Sequence, residues 1–218
     1  MESNEPTNEL DVLIKRSFLS LSKKQLTIRS EDISYEGKRL VFSSVKAIRY
    51  GILQIYVNGI KANRIFVIEL MDDREDKLKI NFQSAMLFKV NKKIDKLYFD
   101  IIDVLWQNVT KRLVNQFIDE LESGRSVSVG KVEVTPGGIQ MQVIRWFKKE
   151  EHFLEWGNIR KSMGLGHLHL YSNENKKIKC RINLQKVWNA VVLSSVLDYL
   201  WKDGRVYRLA EKHIEQSG

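Results

Sequence analysis

His167 and His169 stand two residues apart, so on a strand both rings leave the same face, the first requirement of a zinc site. The neighbouring sequence supplies no third ligand. The one cysteine, Cys180, falls on an inward position of the alternating run KIKCRIN. Gly164-x-Gly166 lacks the third glycine and the following helix of a dinucleotide fingerprint, and reads as a loop. The acidic run Asp72 to Asp76 lacks the spacing and closing glycine of a calcium loop, and reads as a hairpin tip. No G-x-S-x-G, phosphate loop or H-E-x-x-H occurs, and no nucleophile and base can be nominated. The expectation is a protein that is not an enzyme and uses no metal or cofactor.

The residues left with chemistry to offer are cationic and aromatic. Residues 1–122 hold 20 Lys+Arg against 18 Asp+Glu, whereas 123–218 hold 16 against 9, so the second half carries most of the positive field. Lys177, Lys179 and Arg181 alternate along one predicted strand. Lys148 and Lys149 follow Trp146 and Phe147 at a predicted hairpin tip, and Arg160 and Lys161 follow an aromatic strand. Two large aromatics in succession cannot both enter one core, because neighbouring strand residues point to opposite faces. Trp146, Phe147, Lys148, Lys149, Arg160 and Lys161 are therefore the expected recognition surface, with Lys177, Lys179 and Arg181 beside it. The same lysines also fit a solvated strand face that discourages edge-to-edge pairing. Stacking of Trp146, Trp156, Trp188 and Trp201 on nucleic acid ranks last, because the latter three fall on inward positions.

The elements that must position these residues come from a chain of 218 residues with 43% hydrophobic content, enough to bury one large core or two smaller ones. One cysteine rules out a disulfide framework. The acidic, polar first twelve residues do not look like a secretory signal, and no apolar run has a spanning length. The expected location is cytoplasmic, with the inner face of the membrane as a peripheral possibility.

Laying residues 17–124 over 126–218 reveals a degenerate tandem repeat. Leu26-Thr27 aligns with Val134-Thr135, and Ile33 with Ile139. Leu40, Phe42, Val45 and Lys46 align with Leu154, Trp156, Ile159 and Arg160. KINF (79–82) aligns with RINL (181–184), and DVLW (103–106) with DYLW (198–201). Each copy runs from strands to a terminal helix. DKLKINF alternates with period two, Asn58-Gly59 marks a hairpin, and Pro136-Gly137-Gly138 marks a tight turn. From Ile94 through Tyr98, Ile101, Leu105, Val109, Leu113, Phe117 and Leu121 the spacing becomes helical. The partition read from this is an acidic tail at 1–16, a first domain at 17–124 with a long terminal helix, and a second at 125–218.

The L-x-F/W-x-x-V/I segments at 40–45 and 154–159, the TPGGI turn and the terminal helices bearing Trp106 and Trp201 resemble tandem pleckstrin-homology-like domains. The likeness is to bacterial members of that superfold, including the GRAM-like branch. It implies an α+β fold of two split β-barrels, each closed by a C-terminal amphipathic helix. It also implies recognition of phosphoinositides, peptides or protein surfaces rather than catalysis. Lys177, Lys179 and Arg181 match that family's lipid-binding spacing but lie late in the domain, while Lys23, Lys24 and Arg29 in the first hairpins lack the spacing. The expected function is a non-enzymatic module for a protein partner. The alternative is a peripheral membrane module that binds anionic phospholipid headgroups through its basic second domain.

Overall fold

The computed structural model describes residues 9–16, 22–85, 92–145 and 148–217. It is α+β, and its contacts divide it into two compact units, Met1–Leu113 and Val114–Gly218. The division falls inside a helix, whereas the sequence pattern ends the first domain after it, at Gly124.

In the first unit, β1 (Leu10–Ile14), β2 (Lys24–Ile28), β3 (Asp32–Tyr35) and β4 (Lys38–Val41) form an antiparallel meander. A 3-10 turn at Phe42–Ser44 leads into a second meander of β5 (Val45–Val57), β6 (Ile60–Asp72) and β7 (Lys77–Ala85). Leu10–Ile14, placed above in the acidic tail, is thus the edge strand of the first sheet, paired from Leu10↔Ile28 to Ile14↔Lys24. Its alternation is short and half-exposed, too weak to stand out from its acidic flank. Asn58 and Gly59 both take positive φ and turn the β5–β6 hairpin, as their sequence predicts. Along β7, Leu78, Ile80 and Phe82 are buried while Lys77 and Lys79 face out. Phe66 stacks on Phe82 at 5.1 Å between centroids and meets Tyr98 at 4.9 Å, which anchors the helix to the second sheet.

That helix runs from α1 (Lys92–Leu105) through a π turn (Trp106–Thr110) into α2 (Lys111–Glu122). A π turn inserts one extra residue and re-phases the buried stripe. Within the first unit the Arg112 side chain returns to the 3-10 turn and donates to the carbonyls of Phe42 (2.9 Å) and Val45 (2.5 Å).

The second unit repeats the order. β8 (Val127–Val129), β9 (Val132–Thr135), β10 (Gly138–Arg145) and β11 (Lys148–Glu155) form the first meander, followed by a 3-10 turn at Trp156–Asn158. β12 (Ile159–Gly164), β13 (His167–Ser172) and β14 (Lys179–Asn183) form the second. α3 (Ala190–Trp201) and α4 (Arg205–Ser217) follow, interrupted by one 3-10 turn. Both terminal helices therefore break at the D-x-L-W segment. In each copy the break packs on the 3-10 turn between the two meanders: the 106–110 turn on 42–44, and Trp201 edge-on to Trp156 at 6.2 Å.

The strand register corrects one repeat match. Ile33 lies opposite Ile28 in one copy and Ile139 opposite Val134 in the other, so Ile28 rather than Leu26 is the structural equivalent of Val134. The β2–β3 connection is longer than the 136–137 turn, and a slip of two residues keeps the same face inward. The described strands form four separate open sheets, and no ladder among them closes a barrel.

Gly138 sits where β10 passes β11, and a Cβ there would lie 2.2 Å from the Leu154 carbonyl oxygen. Backbone cannot yield that far cheaply. Gly138→Ala is expected to cost about 1–3 kcal/mol, read as an earlier thermal unfolding transition.

Candidate functional site

The β12–β13–β14 register sorts the second unit's cations onto opposite faces. Arg160 pairs with Tyr171 and Tyr171 with Lys179; Ser162 pairs with His169 and His169 with Arg181; Gly164 pairs with His167 and His167 with Asn183. Cross-strand partners share a face, so Arg160, Tyr171, Lys179, His169 and Arg181 stand together. Leu168, Leu170, Cys180 and Ile182 occupy the opposite, buried face. Arg160, Lys179 and Arg181 are exposed, His167, His169 and Tyr171 are half-buried, and none of the three strands contains Asp or Glu. Burial pushes the Cys180 thiol up, against which Lys131 and a backbone hydrogen bond work only in part. It is a core residue.

His167 is held in place. Its Nδ1 lies 2.7 Å from the Leu165 carbonyl and 3.0 Å from an Arg181 guanidinium nitrogen, and its Nε2 lies 3.0 Å from Asn183 Nδ2. These contacts make the ring a fixed part of the surface. Among the described residues no group of three or more His, Cys, Asp or Glu is placed to hold a metal ion.

The remaining expected site residues divide. Lys161 points inward from β12: its ammonium donates to the Ser194 carbonyl (2.7 Å) and pairs with Asp198 (2.6 Å), which ties β12 to α3. Sequence alone could not see that a helix more than 30 residues later supplies these acceptors. Lys177 is exposed in the turn before β14, where its backbone N–H donates to Asn175 Oδ1 (3.0 Å). Lys148 and Lys149 are exposed at the start of β11, in the other sheet, where the strand also carries Glu150, Glu151 and Glu155. Trp146 and Phe147 lie outside the described residues. Of the expected set, the structure brings together Arg160, Lys179 and Arg181. Lys161→Gln is expected to cost about 1–2 kcal/mol through its lost hydrogen bonds. Arg160→Gln should leave stability within roughly 0.5 kcal/mol; parallel denaturant titrations separate the two.

The first unit contains a feature the sequence reading missed. Arg16, Tyr35, Glu36, Lys38, Lys77, Lys79 and Asn81 line a cavity of about 310 Å³ where β3 and β4 pack against β7. Beside it, Glu69 is buried and accepts from Arg49 Nε (2.9 Å) while pairing with Lys79 (2.8 Å). Burial pushes its carboxyl up, but the bonds from Lys79 and Arg49 outweigh that and hold it below the usual range. A carboxylate with a depressed folded pKa adds stability above its unfolded pKa, and that stability is lost as pH falls through the folded value. Wild type should therefore exceed Glu69→Gln in stability at neutral pH, with the gap closing below about pH 4. A gap that stays constant to acid pH would contradict the ion-pair role.

Compared with protein-family models, curated proteins and solved structures, the chain matches none. No helix among the described residues is long and apolar enough to cross a membrane.

Proposed function

We propose that the chain is a non-enzymatic recognition module of two pleckstrin-homology-like units, whose second unit binds the acidic surface of a protein partner. The observation that carries this reading is the outward face of β12–β14, with Arg160, Tyr171, Lys179, His169 and Arg181 together and no carboxylate on the three strands. Cations attract and orient an acidic partner, and a partly exposed tyrosine adds contact area at low entropic cost. The fold proposal is supported by the repeated order of a four-stranded meander, a 3-10 turn, a three-stranded meander and a broken terminal helix.

Anionic phospholipid is the second reading, since the same cations would draw a charged bilayer. The presence of Arg, Tyr and His rather than lysines alone favours protein, because interface centres are enriched in Arg and Tyr and depleted in Lys. Co-sedimentation with vesicles of phosphatidylcholine, with and without phosphatidylserine, tests the choice. A protein module stays in the supernatant with both compositions. Salt-sensitive pelleting with phosphatidylserine alone would overturn the protein reading in favour of lipid.

A further inference from the structure

The two units carry equivalent hairpins of unequal length. β5 and β12 each follow directly on the 3-10 turn. β12 and β13 hold 6 residues each and turn at Leu165-Gly166, at φ 48° and 72°. β5 and β6 hold 13 each and turn at Asn58-Gly59, at φ 50° and 78°. With the same kind of turn, the first hairpin thus runs seven residues further along each strand, about 23 Å at the rise of a β-strand. The second unit builds the same order of elements without that extension, so the fold does not require it.

The extension is apolar and poorly covered. Ile52, Leu53, Ile55, Tyr56, Val57 and Ile60 lie in it and none is buried; Leu53 is 49% exposed and Ile60 68%. No charged residue and no proline occurs from Tyr50 to Ile60. Arg49 before it is held by Glu69 at 2.9 Å, and Arg64 after it by Asp95 at 2.6 Å. The sheet order β5–β6–β7 leaves β5 at an edge, with no strand beyond it among the described residues. Edge strands are ordinarily protected by lysine or proline, and this one has neither from Tyr50 to Val57.

We infer that this edge pairs antiparallel with β5 of a second copy about a two-fold axis at Leu53, joining two three-stranded sheets into one of six. Pairing about such an axis makes the same surface serve both partners. Centring it on Leu53 sets Tyr50 opposite Tyr56, Gly51 opposite Ile55, Ile52 opposite Gln54 and Arg49 opposite Val57, so no cation meets another. For a chain of formal charge +9, this is a surface on which two copies do not repel, and it offers an acidic partner no charge to grip. Its exposed side chains, the half-buried Ile52 and Ile55 and the strand edge together approach the roughly 800 Å² that each partner gives to a standard interface. Each copy has one such edge, so the assembly closes at two. The interface lies in the first unit and is independent of the face proposed for the second.

Sedimentation equilibrium of the full chain should give twice the mass of one chain. Leu53→Glu and Leu53→Lys should each stay folded, because the side chain is half exposed, and each should weaken the dimer at least roughly tenfold by setting like charges across the axis. Mixing the two variants should restore it, since a carboxylate then faces an ammonium. The native Cys180 is buried, so Leu53→Cys adds one accessible thiol. It should oxidise to a covalent dimer far faster than Leu165→Cys, although Leu165 is 93% exposed. Lys179→Glu/Arg181→Glu should leave the mass unchanged, which separates this interface from the second unit's face. A monomeric wild type overturns the inference, and its flotation on neutral phosphatidylcholine vesicles would assign the hairpin to a bilayer instead. A dimer that both charged variants keep, a mixture that fails to recover, or equal oxidation of the two cysteine variants would also overturn it.

Discussion

Trp156→Ala is expected to remove about 3–5 kcal/mol from the second unit, the largest effect of any single substitution considered for it. Trp156 is 3% exposed at the hinge between the two meanders. Its indole N–H donates to the Pro136 carbonyl at 2.7 Å, and its ring meets Trp201 edge-on. One side chain thus joins the β9–β10 turn, the inter-meander turn and the end of α3. Truncation leaves a cavity at that junction and an unmet carbonyl beneath it. Trp156→Phe restores most of the volume but not the donor, and should cost about 1–3 kcal/mol. Denaturant unfolding followed by far-UV circular dichroism reads both. A loss below about 1 kcal/mol for Trp156→Ala would mean that the junction does not organise the unit.

The second large effect is on binding. Lys179→Glu/Arg181→Glu should leave stability within roughly 0.5 kcal/mol of wild type, because both side chains are exposed on the outward face of β14. It should weaken an acidic partner by at least about tenfold, since two attractions become two repulsions on a face that carries no other carboxylate. The wild-type interaction should also weaken as salt rises through the range where the Debye length falls below contact distances. Lys148→Glu/Lys149→Glu is the matched control. Those lysines already share β11 with three glutamates, so its effect should be much smaller.

The elements were legible wherever local periodicity and burial agree. Alternation in 77–82 placed Leu78, Ile80 and Phe82 inward, and the stripe from Tyr98 to Leu121 marked the helical segment that the π turn interrupts and re-phases. The 42–45 and 156–159 matches located the turn between meanders in both copies. Other features needed contacts distant in sequence. Lys161 read as a surface cation because its acceptors, Ser194 and Asp198, lie on a later helix. The Tyr35 cavity draws on residues from 16 to 81, and its only local trace was the outward pair Lys77 and Lys79. Arg160, Lys179 and Arg181 were legible as cations, but their grouping with Tyr171 and His169 was not, because register, not spacing, sets Arg160 opposite Tyr171 and Tyr171 opposite Lys179.

The central claim is that the β12–β14 face recognises an acidic protein surface. Its most direct test is quantitative capture from native lysate at matched bait concentration, comparing wild type, Lys179→Glu/Arg181→Glu and Lys148→Glu/Lys149→Glu by mass spectrometry. The account predicts a protein enriched by wild type, retained by the β11 variant, lost by the β14 variant and released by salt. A partner captured equally by the wild type and the β14 variant, with both folded, would contradict it.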